Sequence, residues 1–68
     1  MKRLATVRGS GITLQRVDAF LPAGYGVIGW DEDGDGVLIE GYDNAGWTME
    51  DFVVPRLASG SMFAEVTT

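Results

Sequence analysis

Sixty-eight residues, 46% of them hydrophobic and none of them cysteine, suffice for one domain with a marginal core, and they exclude disulfides, thiolate metal sites and a disordered chain. The net charge of −5 is unevenly placed: residues 1–16 carry Lys2, Arg3, Arg8 and Arg16 and no acid, whereas residues 17–68 carry ten acids and only Arg56. Five cations cannot assemble a nucleic-acid footprint, and no apolar run reaches a membrane span or a signal-peptide core, so a single cytoplasmic domain over residues 1–68 is expected.

In chain order, residues 4–8 are β-prone and read as a first strand, broken by Gly9, Ser10 and Gly11. Leu14, Val17, Phe20 and Leu21 follow helical spacing behind Thr13 or Ser10 as a cap, and Pro22 and Gly24 end that element. Ile12 and Leu14 also alternate, which leaves a strand over residues 12–20 as the alternative. Tyr25–Trp30 reads as a second strand, residues 31–36 as a turn, and Val37–Tyr42 as a third strand antiparallel to the second.

After a break at residues 43–46, Thr48 is a natural helix cap with Asp51 three residues on, and Met49, Phe52, Val53 and Leu57 gather on one helical face. Pro55 removes a donor and disfavours helical geometry at Val54, so a kinked helix or two short turns is expected, stopped at Ser59 and Gly60. Residues 62–66 close the chain as a strand, with Phe63 and Glu65 on one face and Met62, Ala64 and Val66 on the other. The order strand, helix, strand, strand, helix, strand matches the ferredoxin-like α+β arrangement, an antiparallel sheet with both helices on one face. A small β-barrel with one helix is the alternative if residues 12–20 are extended.

The run Gly46-Trp47-Thr48, Asp51, and Val53-Val54-Pro55-Arg56-Leu57-Ala58-Ser59-Gly60 resembles a segment of small uncharacterised proteins of bacteria and their phages. The resemblance covers residues 46–60 and carries no known activity. It implies a small stand-alone accessory protein.

Asp31, Asp33 and Asp35 followed by Gly36 reproduce the start of an EF-hand calcium loop, and Leu38 supplies the apolar eighth position. The twelfth position is Tyr42 where a bidentate glutamate belongs, and the flanks read as strands; the same residues equally make a solvated hairpin tip. The segment 9–11 lies at a strand end with Arg8 beside it, a plain turn or a phosphate cradle lacking the rest of either nucleotide fingerprint. With no histidine, no cysteine and one lysine, catalysis is poorly supplied.

Tyr25, Trp30, Tyr42 and Trp47 could line an exposed sheet face as interface anchors, or pack as core residues. The charge asymmetry reads either as a basic first strand lying among acidic strands or as opposite patches that drive self-association. The function expected is therefore an acidic, non-enzymatic protein-binding module, itself a partner in a homo-oligomer. A calcium-responsive module is the alternative, and a phosphate or small-ligand binder the distant one.

Overall fold

The computed structural model describes residues 1–67. They form β1 (Lys2–Arg8), α1 (Leu14–Ala19), β2 (Tyr25–Trp30), β3 (Val37–Tyr42), a π-helical turn (Met49–Val53) that runs into α2 (Val54–Ser59), and β4 (Phe63–Val66). This is the expected α+β order of elements, and the helix at Leu14–Ala19 removes the barrel alternative. The strands make one antiparallel sheet in the order β2–β3–β1–β4. Among the described residues no helix is long and apolar enough to cross a membrane.

The register sorts the residues onto two faces, because directly opposed residues in a ladder point the same way. Ala5 lies opposite Ile39 and Val66, Val7 opposite Val37 and Ala64, and Val27 opposite Ile39. These small and β-branched side chains form the floor of the core. Val17 from α1, Met49 and Val53 from the π turn, Leu57 from α2, and Met62 cover it, all of them buried. Leu14, Phe20 and Leu21 pack around its margin, as the helical spacing predicts.

Thr13, one of the two caps expected for the first helix, and Thr48, the cap expected for the second, begin the helical segments. Thr13 Oγ1 accepts from the Arg16 N–H at 3.0 Å, and Thr48 Oγ1 accepts from the Asp51 N–H at 3.1 Å. Pro55 explains the π turn. A continuous α-helix would set its ring against the Asp51 carbonyl and leave that carbonyl without a donor. Instead the Val54 N–H reaches back five residues to the Met49 carbonyl, and Pro55 falls in the first turn of α2, where its missing N–H costs nothing. Replacing Thr48 by alanine is expected to cost about 1 kcal/mol through loss of the cap, read as a lowered urea midpoint.

The basic first strand lies among acids, as one of the two charge readings required. Lys2 pairs with Glu40 at 2.7 Å, Arg8 with Glu65 at 2.6 Å, and Arg3 with Asp43 at 2.6 Å and with Glu50. The two remaining arginines serve carbonyls: Arg16 donates to Ser10 and Gly60, and Arg56 to Phe20. Residues 9–11, read as a turn or a phosphate cradle, form a turn that Arg16 ties to the start of α1.

Candidate interaction site

Because both helical segments cover one side of the sheet, the other side is bare. Register places Lys2, Leu4, Thr6 and Arg8 of β1, Leu38, Glu40 and Tyr42 of β3, and Phe63 and Glu65 of β4 there. On β2 the same face offers Gly26 and Gly29, opposite Glu40 and Leu38, with Ile28 as the extra residue of a bulge between Val27 and Gly29. Tyr42, Phe63 and Ile28 are each more than half exposed, and Leu4 and Leu38 are partly so. The cations of this face are Lys2 and Arg8: Lys2 pairs with Glu40 and Arg8 with Glu65, and at the acidic-turn end Arg8 also lies 3.6 Å from Asp31 and 4.0 Å from Asp35.

The four aromatic residues read as possible anchors do not share this face. Tyr42 is on it. Tyr25 faces the helices: its ring fills the space above Gly41, where a Cβ would stand 2.2 Å from the ring, and its hydroxyl donates to Asp43. Trp30, opposite Val37 at the end of β2, is 44% exposed beside the acidic turn. Trp47 leaves the sheet altogether: it closes a tight turn with Asn44 and stacks on Phe52, ring centroids 4.2 Å apart, staying 41% exposed. The apolar residues of this side of the sheet that spacing did not single out are Phe63, Ile28, Leu4 and Leu38. Alternation grouped Phe63 with Glu65, but nothing local says which side of a strand the helices will cover.

The acidic turn is built from the inside. Asp31 accepts the Asp35 N–H at 3.2 Å and lies 3.6 Å from Arg8. Burial pulls the Asp31 carboxyl upward, but the N–H groups of Gly36, Asp35 and Gly34 outweigh it and hold the carboxyl below its usual range. Gly36 is tight for the same reason: a Cβ there would lie 2.6 Å from Thr6 and 2.7 Å from the Asp31 carboxylate. Asp33 and Asp35 project outward. Asp31, Asp33 and Asp35 are therefore not gathered round a common point, and among the described residues no three acidic side chains are.

A polar network seals the core at the opposite end of the sheet. Arg3, on the helix side of β1, is almost fully buried and donates to Asp43 and Glu50; Asp43 also accepts from the Tyr25 hydroxyl and from the Met49 N–H at 3.0 Å. The Tyr25 hydroxyl, with help from Arg3, holds Asp43 below the usual carboxylate range, and the hydrogen bond from Arg3 does the same for Glu50. Burial, then the Asp43 carboxylate, pushes Tyr25 up to about 12. This constellation ties β1, β2, the segment after β3 and the π turn together, and every member has a partner. Its chemistry is that of a structural clasp. No family model, no curated protein and no solved structure matches the chain.

Proposed function

We propose that this chain is a small, non-enzymatic, cytoplasmic binding module of ferredoxin-like topology, and that it docks proteins, a second copy of itself first, on the helix-free face of its sheet. The topological part rests on two facts. Each helical segment joins two strands that flank a third, β1 and β2 around β3, and β3 and β4 around β1, and the whole sheet is antiparallel. The likeness of residues 46–60 to small bacterial and phage proteins is in keeping with an accessory role encoded by such genomes.

One observation carries the docking part: the bare face is apolar at its centre, and its two cations, Lys2 and Arg8, are paired with carboxylates in a chain of net charge −5. Two copies meeting there, away from the acidic turn, face less of the repulsion that the rest of their surfaces would impose. Relief matches charge, since Phe63 and Tyr42 project at diagonal corners while Gly26 and Gly29 leave open space along β2, a built Cβ meeting nothing within 4 Å. Gly29 is required by its φ of +156° at the bulge, but nothing in the fold demands glycine at Gly26, and such a glycine in a strand interior marks a place where another surface approaches. Covering this face would also relieve the marginal core of so short a chain.

Light scattering and sedimentation equilibrium test this. The wild type is expected to show twice the 7.3 kDa chain mass at micromolar concentration, and Phe63→Arg to return it to monomer with an unchanged circular dichroism spectrum. A wild type that stays monomeric up to about 1 mM, the weak limit of specific association, overturns the reading.

A further inference from the structure

We infer that the groove between α1 and the outer edge of β2 is a second, independent docking site, which takes an extended peptide bearing a lysine or arginine beside an aliphatic residue. The groove holds about 330 Å³ and is lined by Leu14, Gln15, Asp18 and Ala19 of α1 and by Val27 of β2. Three features converge on it.

The first is that β2 is a terminal strand, pairing with β3 on one side only. Its outward N–H and C=O groups are a template for one more strand, and main-chain pairing of that kind is how sheet edges capture extended segments. The bulge at Ile28 disturbs the far half of the edge, so pairing falls on Tyr25–Val27, next to the groove. Secondly, a strand added there would send alternate side chains to the helix side of the sheet, into the space between itself and α1. That space is apolar where Leu14, Ala19 and Val27 line it.

Thirdly, Asp18 stands at the rim. It is exposed, and its carboxylate makes no ion pair or hydrogen bond among the described residues. On a chain whose other carboxylates near strands are largely matched to arginines, an unmatched carboxylate beside an apolar groove selects a cation carried on an aliphatic stem. Lysine and arginine side chains fit both halves of that description. The site differs from the bare face, which sits on the opposite side of the sheet.

A random linear dodecapeptide library displayed on phage tests the assignment, with the full chain as bait. Enriched peptides are expected to carry Lys or Arg two residues from Val, Ile or Leu, to perturb the amide resonances of Tyr25–Val27 and α1, and to bind Asp18→Lys about three- to tenfold more weakly, the range of an exposed charge contact reversed. Asp18→Lys changes a solvent-exposed side chain and should fold normally, which its melting curve checks. A failure to enrich any sequence overturns the assignment. So do enriched peptides that shift Leu4, Leu38 and Phe63 instead, or that bind Asp18→Lys undiminished.

Discussion

Ile39→Ala is expected to lose about 3–5 kcal/mol, as truncations of fully buried aliphatic side chains do. A 68-residue domain has about 3–10 kcal/mol to lose, so the variant should be largely unfolded or close to it at 37 °C. Ile39 is a central position of the floor: it lies opposite both Ala5 and Val27 and is completely buried. Its neighbour Leu38 is the internal control. One residue along the same strand turns the side chain to the bare face, where it is only partly buried, and Leu38→Ala should cost about 1 kcal/mol or less. Urea denaturation followed by far-ultraviolet circular dichroism measures both. Equal losses at the two positions would show that the helices do not cover the face assigned to them.

The second large effect is on pH dependence, and it comes from the clasp of Arg3, Asp43, Glu50 and Tyr25. Asp43 and Glu50 have folded-state pKa values below their unfolded ones, so their contribution is complete above the ordinary carboxylate range and disappears as pH falls through the depressed values. Asp31 adds to the same limb. Tyr25 has the opposite shift: a folded pKa raised to about 12 from 10.0 means that folding favours the neutral phenol, and its contribution is lost as pH rises through that window. The melting temperature should therefore hold a plateau through neutral pH, fall below about pH 4, where free carboxyls protonate, and fall again above about pH 10, where free phenols ionise. Tyr25→Phe should flatten most of the alkaline fall and also weaken the acid limb in part, since its hydroxyl is the leading donor that holds Asp43 down. Arg3→Met should leave the alkaline fall and shrink the acid limb, chiefly through Glu50 and in part through Asp43, and lower the melting temperature by about 10 °C at pH 7, because two carboxylates then face each other without their cation. An acid limb that survives Arg3→Met unchanged would place the acid-sensitive carboxylates elsewhere.

Much of the architecture was legible in the residues themselves because it is local. The helix caps at Thr13 and Thr48 are side chains bonding to N–H groups three residues away, and each stands where spacing put it. The interruption caused by Pro55 was legible for the same reason, since the clash and the missing donor involve only its own turn. The hairpin strands Tyr25–Trp30 and Val37–Tyr42 declared themselves through β-branched residues bounded by turn formers. β1 begins two residues earlier than expected, at Lys2: Lys2 and Arg3 read as charged ends but are held in the ladder opposite Tyr42 and Gly41.

The candidate site was much less legible. Tyr25 and Tyr42 are both strand aromatics flanked by glycine, yet one ring is buried above Gly41 and the other faces solvent. Trp47 precedes an apolar helical stripe and suggested a core residue, but it stacks on Phe52 at the surface. Asp31, Asp33 and Asp35 have the spacing of a calcium loop, and that spacing has a competing use, because Asp31 turns inward to cap its own turn and meet Arg8.

What the amino-acid sequence alone determined, then, is the set of elements, their caps and stops, the interruption at Pro55, and the alternation along each strand. All of these depend on steric and hydrogen-bonding terms that act over one turn or one residue step. Only the tertiary structure decided which side of each strand is covered, and hence that Phe63, Ile28 and Leu38 join Tyr42 on the bare face. It alone brought Arg3 to Asp43 and Glu50 across 40 and 47 residues of chain, and left Asp18 without a counter-charge beside a groove. The reason is that a strand's two faces are equivalent until something packs on one of them. What packs is set by contacts between distant segments, which no local pattern encodes.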